Sequence, residues 1–335
     1  WECLDFKTIT YHDDIRSLID KALTGNEKMI LDADRELGQI YSSFSQELIK
    51  DREIDIIASH GQTIAHQDGI FTTQIGNPHY MCKKYGVPVV YNFRQADIDE
   101  GGNGAPLIPF LDWLLFKDKG VDTITLNLGG VANISYIPES GKREDVLGFD
   151  TGPGMALIDE TCRIRLGIYM DKNGLITAQG NIHKKLLKKL MAHEFIGKNP
   201  PKSTGRHQFG LEMVNQCIEQ YPEINTEDLL KTFCAFTTKS VAKNLKSFLN
   251  FNLLETHLIV SGGGVHHQPL MLDLAEYTDI LNIEKLDAHG IEAKMKESLL
   301  MAVLAVARMQ NMTSNMPSVS GAHKETILGD ILRLE

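Results

Sequence analysis

No apolar run in this sequence approaches the roughly 18 residues that a membrane-spanning helix needs, although 42% of its residues are hydrophobic. The basic, apolar and small-residue succession of a secretory signal peptide is not visible either. Cysteine is scarce and unpatterned. Cys3, Cys82, Cys162, Cys217 and Cys234 make no CxxC pair, and an odd, scattered set reads as reduced thiols, mostly core filler, in a cytoplasmic protein. Long basic runs are missing, and the formal net charge is −10. That balance argues against nucleic acid as a partner, and nothing points to a membrane. An anionic ligand must then be held locally, by backbone N–H groups, a cationic side chain or a metal. No repeat of fixed period and no low-complexity stretch occurs. What remains is an ordinary globular composition, 335 residues long, enough for two domains.

Glycine is present in a particular arrangement. Glycine-centred loops follow in order: Ser59-His60-Gly61-Gln62-Thr63, Gly101-Gly102-Asn103-Gly104-Ala105-Pro106, Leu126-Asn127-Leu128-Gly129-Gly130, Asp150-Thr151-Gly152-Pro153-Gly154 and Ser261-Gly262-Gly263-Gly264. Most lie against an apolar strand. Glycine reaches positive φ and lets a ligand approach backbone N–H groups closely. Loops of this kind, interleaved with Asp, Asn, Thr and His, indicate a cleft for phosphates and a polar substrate.

Periodicity supplies the frame. Residues 13–50 read as largely helical, with Leu18, Ile19, Leu23, Ile40, Phe44 and Leu48 at helical spacing. Apolar runs at 54–58 and 87–91 read as strands, and Pro88 marks a strand start or an edge. Residues 123–128 and 131–137 read as a hairpin around Gly129-Gly130. Residues 146–150 form a further strand, followed by a helix from Met155 to Cys162. Residues 226–249 predict a long helix capped by Asn225 or Thr226. A strand at 258–260 and a last helix from Ala293 to Met309 complete an α/β pattern. The sharpest boundary lies near residue 120, at Lys117-Asp118-Lys119-Gly120.

Each loop has a plain and a functional reading. Gly129-Gly130 is a tight turn or a phosphate-contacting one, with Asn127 and Asn133 flanking it. Asp150 is a helix cap, or a general base beside helix N–H groups that hold an anion. Gly262 to Gly264 allow close strand–helix packing, or let a planar base lie against bare backbone. His60 is structural or catalytic. Arg94 and Asp97 form a solvated pair or line a cleft. Lys202-Ser203-Thr204-Gly205-Arg206 is not a Walker loop, because Asn199-Pro200-Pro201 precede the lysine. It reads as a cationic substrate-contacting loop or as a surface turn.

Together these blocks resemble the anhydro-N-acetylmuramic acid kinase family, nearly end to end. The match includes Ser59 to Thr63, Thr73 to Gly76, Asn92 through Asp97 to Leu107, Leu126 to Ser135, Gly148 to Asp159, Pro201 to Arg206, Ser261 to Gly264, Glu297 and Pro317 to Gly329. The resemblance implies a two-domain sugar-kinase/actin-like α/β fold with a nucleotide and sugar cleft between the domains. Residues 1–120 would be the sugar-side domain and 121–335 the nucleotide-side domain, with the last segment returning to the first. It implies ATP and Mg²⁺, a cytoplasmic location, a homodimer, and a role in peptidoglycan recycling. The implied reaction opens the 1,6-anhydro bridge with water and phosphorylates the 6-hydroxyl, giving N-acetylmuramic acid 6-phosphate and ADP. By motif, Asp150 is the base, with Asp97 the runner-up for that part, and His60, Arg94, Asp97 and Glu297 are sugar-side contacts. Asn127, Gly129 and Gly130 face the phosphates, and Gly262, Gly263 and Gly264 the adenosine. No metal ligands are assigned.

Three departures stand out. Asn103 replaces a usual Gln and Met155 a frequent Asn. The family's opening Gly-Thr-Ser-x-Asp-Gly loop, which contacts ATP phosphates, is not in this sequence. The sequence starts at Trp1 rather than Met, so the expectation is that the natural amino terminus precedes it. Two other readings stay open: another sugar kinase of the superfamily, and an inactive sugar- or nucleotide-binding homologue.

Overall fold

The computed structural model describes residues 1–252 and 254–334. It divides into two compact units, Trp1–Leu111 with Met295–Glu335, and Asp112–Lys294. The strands in chain order are β1 (Ile57–Ala58), β2 (Gln62–Gln67), β3 (Phe71–Ile75), β4 (Val89–Tyr91) and β5 (Thr123–Leu128). They continue with β6 (Val131–Ile137), β7 (Leu147–Pro153), β8 (His257–Ser261), β9 (Asn282–Lys285) and β10 (Asp330–Leu332).

The unit Asp112–Lys294 is organised by a five-stranded sheet in the order β7-β6-β5-β8-β9. β5, β6 and β7 form an antiparallel meander, and β8 and β9 add in parallel. The hairpin at Gly129-Gly130 falls at the expected residues. Side chains alternate across β5. Ile124, Leu126 and Leu128 enter the main core, where Phe233, Phe236, Val241 and Leu245 of the helix Thr226–Phe248 meet them. That helix starts where the sequence predicts, because the Asn225 side chain accepts a hydrogen bond from Asp228 N at 2.7 Å.

The other face of β5 is polar and also covered. Thr125 and Ser135 are cross-strand neighbours, and both donate their hydroxyls at 2.7 Å to Asp112 Oδ2. Asp112 sits in the helix Ile108–Phe116 and is fully buried. A charged acceptor shared by two hydroxyls ties that helix to the hairpin.

β7 differs from the sequence reading. It runs through Thr151 and Gly152 to Pro153, and the helix after it spans Ala156–Leu166. The Gly-Pro pair masked the strand. A bulge between the pairings of Ala132 and Asn133 absorbs it, so β7 continues past Asp150.

In the other unit, β1 and β4 are parallel and β10 returns antiparallel onto β4. The β2–β3 hairpin packs on the helix Glu27–Ile49, through Ile64 and Ile75 against Ala33 and Leu37. That hairpin was not foreseen. Its mixed composition, Thr63, His66, Thr72 and Gln74 among few apolar residues, gives no clean alternation. No helix among the described residues is long and apolar enough to cross a membrane.

Replacing Asp112 by Ala strands two buried hydroxyls, each costing about 1–3 kcal/mol. We expect Asp112→Ala to lower the unfolding free energy by roughly 2–4 kcal/mol in urea titrations. A loss below about 1 kcal/mol would show that the shared acceptor contributes little.

Candidate active site

Strand register lines up four polar residues. Asp150 pairs with Asn133, Asn133 with Asn127, and Asn127 with Ser261. Directly paired residues share a face. The sheet thus presents one row from β7 to β8, at the end where the hairpin turn and the triple glycine emerge.

Asp150 is gripped from two sides. Its backbone N–H donates to Lys202 O at 3.1 Å. Its Oδ2 accepts from Thr204 N at 2.7 Å and from Ser203 Oγ at 3.3 Å. Just beyond it, the long helix holds the bulge. Ser240 Oγ and Asn244 Nδ2 donate to Thr151 O at 2.6 and 3.0 Å, and Thr237 Oγ1 donates to Gly154 O at 2.9 Å. Positions 237, 240 and 244 lie three and four apart, so they share one helical face. A Cβ on Gly152, at φ +140°, would lie 2.5 Å from Ser240 Oγ. Only glycine fits there.

The glycine turns play different parts. The carbonyls of Gly129 and Gly130 accept from the N–H groups of Met155 at 2.7 Å, Gly154 at 3.0 Å and Ala156 at 3.2 Å. The turn thus takes the N–H groups of Gly154, of the cap residue Met155 and of Ala156, the first residue of the helix Ala156–Leu166. The cation at the turn is Arg206. A Cβ on Gly130 would come within 2.9 Å of its Nε. Gly262 takes φ +86°, and a Cβ there would lie 2.7 Å from Asn127 Oδ1. A Cβ on Gly264 would lie 2.5 Å from Leu128 Cβ, whereas one on Gly263 meets open space. Two of the three glycines serve packing against β5, and the middle one is open to a ligand.

In the unit that contains the amino terminus, His60 and Arg94 meet. Arg94 Nε donates to His60 Nε2 at 3.1 Å, and Arg94 Nη1 donates to Gly104 O at 2.9 Å. His60 Nδ1 lies 3.0 Å from Gly61 O. Because Nε2 accepts, the proton sits on Nδ1 and donates to that carbonyl, and the ring is neutral. Burial first, and the Arg94 charge second, hold the His60 pKa below its usual 6.5. Burial also lowers Arg94, opposed by the charge of Glu297. His60, Arg94 and Glu297 thus form one electrostatic group.

Asp97 is placed differently from expectation. It is 1% exposed. Oδ2 accepts from Gly104 N at 2.8 Å, and Oδ1 accepts from Asn315 Nδ2 at 2.8 Å and Ser320 Oγ at 2.7 Å. This carboxylate ties the 101–104 loop to the carboxy-terminal segment.

The family model for anhydro-N-acetylmuramic acid kinase matches residues 3–333. This chain belongs to the anhydro-N-acetylmuramic acid kinase family. Over 347 residues it is 34% identical to the anhydro-N-acetylmuramic acid kinase of Bacillus cereus (strain Q1), covering 98% of this chain and 90% of that one. Over 344 residues it is 34% identical to the protein of that name from Clostridioides difficile (strain 630), covering 98% and 89%.

Within this anhydro-N-acetylmuramic acid kinase family member, register brings together Asp150, Asn127 and the turns at 129–130 and 262–264, and hydrogen bonding joins His60 to Arg94. The residue-by-residue reading missed Thr237, Ser240 and Asn244. Their signal was small polar residues at helical spacing inside an otherwise apolar helix. It reads Ser203 and Thr204 as part of a substrate-contacting loop or a surface turn and not as partners of Asp150, because their bonds to that carboxylate span more than fifty positions in sequence.

The lowered His60 pKa sets a sign. Between its folded value and 6.5 the unfolded chain binds a proton that the folded chain refuses, so stability falls as pH drops through that window. His60→Gln should lose less thermal stability between pH about 7 and pH about 5 than the parent. Equal losses in melting curves would contradict the assignment.

Proposed function

We propose that this chain uses MgATP to open and phosphorylate 1,6-anhydro-N-acetylmuramic acid, in the cytoplasmic recycling of peptidoglycan fragments. The observation that carries the reading is the Asp150 carboxylate, held beside the bulge of β7 in one row with the glycine-flanked Asn127. A water placed against the anomeric carbon gives its proton to Asp150 as its oxygen bonds to that carbon. The bond from the anomeric carbon to the bridging oxygen breaks, and that oxygen, now on carbon 6, takes the γ-phosphoryl group. ADP leaves.

Phosphoryl transfer depends on positioning and charge neutralisation more than on covalent chemistry from the protein. Gly129 and Gly130 would sit against the phosphates, with the Arg206 guanidinium over Gly130 to offset their charge. Gly263, the open glycine, would face the adenosine. His60, Arg94 and Glu297 would contact the sugar, the neutral imidazole through a hydrogen bond and the guanidinium through its charge. Asp97 shapes the adjoining loop. Among the described residues no group of three or more His, Cys, Asp or Glu side chains is gathered where a metal could sit. Mg²⁺ would arrive with the nucleotide, held by phosphate oxygens and water.

The test mixes the protein with MgATP and 1,6-anhydro-N-acetylmuramic acid, follows ADP release and weighs the sugar product. A product heavier by one water and one phosphoryl group is expected. Asp150→Asn should lower kcat by about 10²–10⁴-fold, the usual contribution of a positioned general base. Sugar binding without ADP release would point instead to a binding protein. A product heavier by a phosphoryl group alone would point to an ordinary sugar kinase.

A further inference from the structure

Lys202 is the residue whose placement the reaction above leaves unexplained. It is a lysine only 6% exposed. Its Nζ donates to Phe195 O at 3.1 Å. The same nitrogen lies 4.8 Å from the ring centroid of Phe195, 5.0 Å from that of Phe248 and 5.8 Å from that of Phe149. Those separations are within the range of cation–π attraction. An ammonium is costly to bury, and a hydrophobic side chain would fill a box of three rings more cheaply. The charge therefore calls for a reason.

The geometry of β7 supplies one. β7 is one of the two edge strands of its sheet. The carbonyl of Lys202 accepts the N–H of Asp150, so residue 202 docks on that open edge. Phe149 and Asp150 are adjacent and point to opposite faces. The Lys202 side chain passes to the Phe149 face and locks there. Ser203 and Thr204 pass to the Asp150 face and hold the carboxylate. One short segment grips the strand from both sides at the proposed base.

We propose that Lys202 is a positioning residue for Asp150: anchored in the aromatic box, it fixes the Ser203–Thr204 clamp on the carboxylate without touching substrate. The inference rests on the reading of Asp150 as the base. The charge state is consistent with a buried anchor. Burial first, then the Lys198 and Lys243 charges, push the Lys202 pKa down to about 8, with Asp150 opposing them, so the amine is still mainly protonated near neutrality.

The test is Lys202→Met, which keeps an unbranched stem in the box and removes the donor and the charge. We expect kcat to fall about 10–100-fold, the scale of a misplaced catalytic group, with both KM values within about twofold of the parent. Hydrogen exchange at the Thr204 amide should accelerate by about tenfold or more as its bond to Asp150 loosens. Unchanged kcat and Thr204 protection would overturn the proposal. So would a raised KM with kcat retained, which marks a substrate contact. If Lys202→Met does not fold, Phe248→Leu opens one wall of the box and is read the same way. Asp150→Asn is measured alongside. If that variant stays active, the base assignment fails, and Thr204 exchange still decides whether Lys202 holds the clamp. If it is inactive while Lys202→Met matches the parent, only the present inference fails.

Discussion

A one-residue slip of a strand sends every side chain to the opposite face. The pairing of Asn127 with Asn133 on one side and Ser261 on the other is therefore the constraint on which the arrangement of the unit Asp112–Lys294 depends. With that register, Leu126 and Leu128 are buried, Thr125 and Ser135 meet Asp112, and Asn127 reaches the edge of the polar face beside Gly262. Shifted by one, the leucines would replace the asparagine in the row and Asp112 would lose its partners. The packing of Gly264 against Leu128 reinforces the same register, since no side chain fits between them.

The bulge in β7 is the second half of the device. It lets the strand continue past Asp150 with its carbonyls turned toward the long helix, where Ser240, Asn244 and Thr237 satisfy them. Buried carbonyls of this kind would be expensive if unpaired. The outer edge is closed by Lys202, so the carboxylate sits on backbone that is bonded on both flanks. A general base gains from such rigidity, because it fixes where the proton is taken up.

Much of this was legible in the residues. The β5–β6 hairpin followed from alternation around Gly129-Gly130, and the long helix from its apolar spacing and Asn225. The motif around Asp150 was legible, but the surroundings that hold it were not. Gly152 and Pro153 read as a loop because those residues usually end strands, and the bonds that override the tendency come from a helix some ninety positions away in sequence. The partners of Asp97 are hidden from the sequence for a related reason. A carboxylate beside Gly101-Gly102 looks like a cleft residue until its partners are known, and Asn315 and Ser320 lie 218 and 223 positions along the chain. The contact of Arg94 with His60 is equally non-local, at 34 positions. Local propensity shows which segments are strands and turns. Only packing shows which polar groups are consumed by the fold and which are left for chemistry.

The most direct test of the account is a single turnover in heavy-oxygen water, stopped before the anomeric hydroxyl can exchange with solvent. If Asp150 activates water against the anomeric carbon, one heavy oxygen appears on that carbon, and the oxygen joining carbon 6 to phosphorus is unlabelled. Label in the phosphoryl group, or a product whose anomeric oxygen is unlabelled, would contradict it.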